Sequence, residues 1–120
     1  MKMPGFHVMA AGLALALFAA GAQAHAFLDH ASPRVGSTVS AAPHEVRLWF
    51  SQALEPQFSA AQVRSSAGGV VGTGRVDPGD AKQLVIPVGA LAPGKYKVDW
   101  KVLSVDTHRT EGSFGFEVKP

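Results

Sequence analysis

The chain contains no cysteine, and its three methionines all lie within the first nine residues. The rest of the sequence therefore lacks sulfur ligands, which excludes thiolate zinc sites and leaves no soft donor for Cu(I). The absence of cysteine also excludes disulfide bonds and a lipidated cysteine. Charged residues make up 17% of the chain and the formal net charge is +2 at pH 7. Nothing in this charge balance indicates nucleic acid as a partner.

A short apolar stretch near the N-terminus has the features of a secretory signal peptide. Lys2 precedes an apolar run over residues 8–20, and Ala22-Gln23-Ala24 follows it. The run is shorter than the about 20 residues that a membrane-spanning helix needs, and the small-x-small motif is one that signal peptidase reads. We therefore expect export, cleavage after Ala24 and no membrane insertion of the mature chain. The prediction is a signal peptide over residues 1–24 and one domain over residues 25–120.

After residue 25, short alternating segments separated by Pro, Gly and Ser predict an all-β fold. The clearest segment runs from Tyr96 to Val102, with apolar side chains on one face and charged ones on the other. Pro87 predicts that its strand either is an edge strand or ends there. About seven strands in a domain of this size predict a Greek-key sandwich or barrel. The predicted strands cover residues 26–30, 45–51, 62–66, 70–75, 83–88, 96–102 and 113–118.

Three residues are candidate metal ligands: His25, Asp106 and His108. Cleavage after Ala24 makes His25 the first residue, so that its α-amine and imidazole Nδ1 close a six-membered chelate on one ion. Asp106 and His108 lie two residues apart just past a predicted strand, and in extended backbone such residues point to the same side. A set of three nitrogens and one oxygen suits Cu(II) in a square-planar arrangement better than it suits tetrahedral zinc.

Each of these features also has a simpler interpretation. A histidine after a cleavage site is usually there by chance, an Asp-x-His pair at a strand end is more often a turn cap, and spacing does not show that the two meet. His30 follows Asp29 and is a further possible ligand, although we favour a surface position for it, as for His44. Trp49 and Trp100 are expected in or near the core rather than as stacking platforms.

Several longer motifs together resemble the CopC family of periplasmic copper-resistance proteins. The resemblance covers nearly the whole of residues 25–120. It is most specific where the N-terminal histidine is combined with Pro-Gly-x-Tyr-x-Val-x-Trp at residues 93–100 and Ser-x-Asp-x-His at residues 104–108. Further matching segments are His25-Ala26, Ser32-Pro33, Gly36-Ser37, Val46–Ser51, Gln57–Ser59 and Gly112–Phe114.

The resemblance implies a seven-stranded Greek-key β-barrel of cupredoxin-like or Ig-like shape. It implies one Cu(II) ion per chain, bound by His25, Asp106 and His108. It also implies a periplasmic protein without catalytic activity that buffers, stores or delivers copper for copper resistance and homeostasis. The partner implied by the family is an inner-membrane copper transporter of the CopD type.

Two differences from the family pattern affect the expected metal site. Well-known members have a second, Cu(I) site in a Met-rich loop with an added histidine, whereas residues 63–75 contain neither Met nor His. This difference indicates a member with the Cu(II) site only. The second difference is Gln52, which stands where related chains often carry Glu near the metal. Whether Glu55 compensates for the missing charge is open.

Two other functions are compatible with the same residues. Copper held by an N-terminal histidine and a second histidine would resemble the histidine brace of lytic polysaccharide monooxygenases. A carboxylate in the fourth equatorial position would, however, leave no place in that plane for oxygen or substrate, and the chain is small for an extended sugar-binding face. The other alternative is a metal-free β-sandwich interaction module whose histidines and aspartate are incidental.

Overall fold

The computed structural model describes residues 27–120, which form eight β-strands and one short 3₁₀ helix. The predicted all-β class is confirmed. Within the described residues, no helix is long and apolar enough to cross a bilayer. The predicted signal peptide over residues 1–24 and the candidate ligand His25 lie outside this part of the chain.

The strands are β1 (Leu28–Ser32), β2 (Thr38–Val39), β3 (Glu45–Phe50), β4 (Ala60–Ser65), β5 (Val70–Asp77), β6 (Asp80–Pro87), β7 (Gly94–Leu103) and β8 (Arg109–Val118). The 3₁₀ helix covers Pro56–Phe58.

The strands are hydrogen-bonded in one continuous order, β1-β3-β6-β5-β4-β7-β8-β2. Strand β5 is shared by the two layers of this curled sheet. Its first half pairs with β4 and its second half with β6, so that it carries the chain from one layer to the other. Gly72 and Gly74 make this passage possible. A Cβ at Gly72 would lie 2.5 Å from the backbone oxygen of Pro87, and a Cβ at Gly74 would clash with the backbone oxygen of Val85. Glycine at these positions lets the two backbones approach closely.

Side chains that alternate along β7 and β8 form one wall of the core. On β7 the apolar side chains from Tyr96 to Val102 are buried, and the charged residues between them face outward, as predicted. The apolar side chains of β8 are buried in the same way: Phe114, Phe116 and Val118. Each large apolar side chain buried in this way contributes about 1.5–3 kcal/mol to folding.

Several expectations from the sequence are resolved by the strand register. Strand β2 was not predicted, because two residues are too few to show alternation. Pro87 ends β6, and since β6 lies between β3 and β5, the edge-strand alternative is wrong. The predicted surface positions of His30 and His44 are confirmed.

The prediction that Trp49 lies in or near the core and is not a stacking platform is wrong. Trp49 lies on the outer face of β3 and is only half-buried, whereas Trp100 is buried as predicted. The register of β1 against β3 places His30 opposite Trp49. Their rings stack with centroids 4.4 Å apart and an interplanar angle of 11°. Trp49 is therefore a stacking platform for a surface imidazole.

Three aromatic side chains fill the interior near the ends of β3 and β7. The ring of Phe50 lies 5.5 Å from that of Phe27 and 5.3 Å from that of Trp100, in tilted and edge-to-face geometry respectively. Trp100 lies against the backbone of Gly112, its cross-strand partner on β8. A Cβ at Gly112 would be 2.6 Å from Trp100 Cζ2. This aromatic cluster of Phe27, Phe50 and Trp100 therefore depends on the absence of a side chain at residue 112.

We expect Gly112→Ala to destabilise the protein by about 1–3 kcal/mol, because the added methyl group must displace a buried indole. Urea unfolding followed by fluorescence would measure the change. Gly115→Ala is the matched control on the same strand, since a Cβ there would lie 3.4 Å from Tyr96 O, an ordinary contact. Equal stability of the two variants would contradict the assigned packing of Trp100.

Candidate metal centre

Two connecting segments meet at one end of the sandwich, where β3 and β7 both end. The segment between β3 and β4 lies against the turn between β7 and β8. Leu54 and Ser104 form an isolated antiparallel bridge between them. The Glu55 N–H donates to Leu103 O at 2.8 Å, and the Val105 N–H donates to Ala53 O at 3.0 Å. These bonds hold the two segments together although they are far apart in sequence.

Ser104 is fully buried and closes the β7–β8 turn. Its N–H donates to His108 O at 2.9 Å, and its hydroxyl oxygen accepts the His108 N–H at 3.2 Å. The Thr107 N–H donates to Ser104 O at 2.9 Å. Thr107 has a φ of 72°, in the left-handed region that few residues other than glycine adopt. Residues 105–107 are thus held in a tight turn.

The turn brings the side chains of Asp106 and His108 together. Asp106 Oδ1 lies 3.3 Å from His108 Nδ1, and the side chains are 45% and 77% exposed. The Ser104 hydroxyl donates to Asp106 Oδ1 from the buried side. The sequence argument relied on extended backbone, and that reason is wrong. The two side chains share one side because Thr107 is left-handed and the chain turns between them.

Gln52 also contacts this carboxylate, from the β3–β4 segment. In the amide orientation that satisfies both groups, Gln52 Nε2 donates to Asp106 Oδ2 at 2.7 Å and to Oδ1 at 3.1 Å. Sequence spacing gave no sign of this contact, because the two residues lie on different segments, although the family resemblance places residue 52 near the metal. Glu55, the acidic residue of the β3–β4 segment, contributes its backbone N–H to the junction with β7.

Hydrogen bonding lowers the pKa of Asp106. The largest cause is the bond from the Ser104 hydroxyl, and the nearby His108 imidazole adds a smaller effect in the same direction, while partial burial opposes both. Hydrogen bonds to the charged form favour that form. The Asp106 carboxyl is therefore ionised throughout the neutral range and presents an anionic oxygen beside an imidazole. This donor pair suits a borderline divalent ion such as Cu(II) or Zn(II).

Within residues 27–120, no third His, Cys, Asp or Glu joins this pair to make a group of three potential metal ligands. The contacts of His30 are with other residues: its Nδ1 lies 2.9 Å from Asp29 Oδ2, and its ring stacks on Trp49. The described chain begins beside the β3–β4 segment that carries Gln52. Phe27 O accepts hydrogen bonds from the Ser51 N–H at 3.0 Å and from the Ser51 hydroxyl at 3.3 Å.

Comparison with known proteins agrees with the motif resemblance. The model of a family described as the CopC domain matches residues 28–119. The chain belongs to the CopC family. A copper resistance protein C of Pseudomonas syringae pv. tomato is 42% identical over 117 residues, covering 86% of this chain and 92% of the relative. Protein YobA of Escherichia coli K12 is 40% identical over 99 residues, covering 80% of each chain.

A solved CopC structure has the same fold. The crystal structure of CopC from Methylosinus trichosporium OB3b superposes with a TM-score of 0.73 at 35% identity, covering 78% of this chain and 93% of that one. The predicted β-sandwich or barrel class is therefore that of the CopC family.

We expect Ser104→Ala to raise the pKa of Asp106 toward its ordinary value, because the variant loses the donor that stabilises the carboxylate. Side-chain carboxyl carbon shifts, followed by NMR over an acid titration of the metal-free protein, would measure it. Ser59→Ala is the matched control. Ser59 is also a buried serine, and it accepts the Leu103 N–H at 3.0 Å without touching a carboxylate. A pKa of Asp106 that does not change in Ser104→Ala would show that the assigned hydrogen bond is absent.

Proposed function

We propose that this CopC-family protein binds one Cu(II) ion in the periplasm through His25, Asp106 and His108, and that it buffers, stores or delivers copper for copper resistance. The observation that carries the proposal is the pairing of an ionised carboxylate and an imidazole, 3.3 Å apart and open to solvent. The pair lies on a hydrogen-bonded turn in a chain whose relatives include proteins named copper resistance protein C.

The position of Phe27 supports His25 as the third ligand. Phe27 is 8% exposed, packs on Phe50, and is bonded through its carbonyl to Ser51. Ser51 is followed by Gln52, whose amide reaches Asp106. Two residues of chain span at most about 7 Å. If cleavage follows Ala24, the new N-terminus would therefore lie within about 7 Å of Phe27, which is hydrogen-bonded to the residue before Gln52.

The proposed ligands supply three nitrogens and one oxygen, which favours a tetragonal Cu(II) site without sulfur. Residues 25–120 contain no Met and no Cys, so a Cu(I) ion would lack the soft donors that it prefers.

Because the imidazole and carboxylate are exposed, copper could pass to another protein. On the family resemblance, the proposed recipient or source is an inner-membrane transporter of the CopD type. We propose no catalytic activity, because the fourth equatorial position would be filled by the carboxylate.

We expect His108→Ala and Asp106→Ala each to weaken Cu(II) binding at least tenfold and to leave the fold intact. Both side chains are solvent-exposed and lie outside the core, so little packing is lost. A Cu(II) competition titration of the processed protein would measure the affinity. His44→Ala is the control, since His44 is an exposed histidine just before β3. Affinities within twofold of wild type in both variants would show that the ligand assignment is wrong.

The role of the N-terminus is tested by one extra residue in front of His25. In a protein that begins Met-His25 and retains its Met, the α-amine of His25 becomes a peptide nitrogen, which is far less basic. The imidazole, the core and the net charge stay almost unchanged. We expect this protein to unfold at the same temperature as the processed form, to bind Cu(II) at least tenfold more weakly, and to give a different EPR spectrum. Identical affinities and spectra would rule out the N-terminal chelate.

A further inference from the structure

Gln52 is placed to control the orientation of the Asp106 carboxylate. It follows Ser51 at the end of β3, and its side chain is exposed on the β3–β4 segment. In the amide orientation that satisfies both groups, its amide nitrogen reaches the β7–β8 turn and donates to Asp106 Oδ2 at 2.7 Å and to Oδ1 at 3.1 Å. The Ser104 hydroxyl donates to Oδ1 from the buried side of the turn. The two donors come from different segments of the chain.

The second donor fixes a torsion that one donor leaves free. The last torsion of an aspartate side chain joins an sp³ to an sp² carbon and has no sharp minima, so the carboxylate plane rotates easily. A bond to Oδ1 alone fixes the position of one oxygen. A donor that reaches both oxygens also fixes the plane, and thereby the direction of the lone pairs that remain for an ion.

We propose that Gln52 is a positioning residue for the metal: its amide holds the carboxylate plane of Asp106 so that one oxygen is presented beside His108. This inference rests on the proposed function. An amide suits the role because its N–H group donates to a carboxylate and it adds no charge to the site. Groups that orient metal-binding carboxylates typically change metal affinity by 10- to 100-fold when they are removed.

The test compares Gln52→Ala and Gln52→Leu with Gln57→Ala and Gln57→Leu in the processed protein that begins at His25. Gln57 is the matched control because it is an exposed glutamine on the same β3–β4 segment. We expect Cu(II) alone, in competition titration, to bind about 10-fold more weakly to both Gln52 variants. Their EPR spectra should show broadened or doubled copper hyperfine lines, because the carboxylate takes more than one orientation. Melting temperatures should match wild type, and the Gln57 variants should behave as wild type in all three measurements.

The outcomes separate this inference from the function on which it rests. His108→Ala, measured alongside, shows whether copper is at the proposed site at all. If His108→Ala loses copper but both Gln52 variants keep the affinity within twofold and the spectrum of wild type, Gln52 has no positioning role. If wild type fails to bind Cu(II), or His108→Ala binds it unchanged, the proposed function is wrong and this inference is overturned with it.

Discussion

The hydroxyl group of Ser104 is the fixed point on which the candidate metal centre depends. Ser104 is completely buried, so its polar atoms must find partners inside the protein. They find them in the His108 backbone and the Asp106 carboxylate, while the residue itself is bridged to Leu54. One buried residue therefore stabilises the turn, lowers the pKa of a carboxyl group and attaches the neighbouring segment.

This arrangement joins a rigid support to exposed ligands. Below the turn lie the ends of β3 and β7 and the aromatic cluster of Phe27, Phe50 and Trp100. Above it, the His108 imidazole is 77% exposed. Side chains held by bonds on their buried side and open to solvent on the other suit an ion that is bound and then released, because little of the protein needs to move.

The sequence predicted the parts of the fold that rest on local pattern. Alternation identified the long strands, and Pro87 marked the end of β6, because both effects act within a few residues. The sequence could not predict that Trp49 faces outward and stacks on His30, since this contact depends on the pairing of β1 with β3. Local pattern gave no sign of the contact between Gln52 and Asp106 either, since it joins two segments that only the folded sheets bring together. The family resemblance indicated only that residue 52 is near the metal. Asp106 and His108 were found as a pair for an incorrect reason, because the left-handed Thr107 leaves no plain signal in sequence.

The position of this centre has a consequence for a domain without cysteine. Strand β1 belongs to one layer of the sandwich, and the turn between β7 and β8 belongs to the other. With the proposed ligands, an ion held jointly by His25, three residues before β1, and by that turn would link the two layers. Such a link would close a loop of almost the whole domain, which is the kind of cross-link that a disulfide provides in many exported proteins. Unlike a disulfide, this link would form and dissociate with the supply of metal. The rigidity of the protein would therefore differ between its metal-bound and metal-free forms.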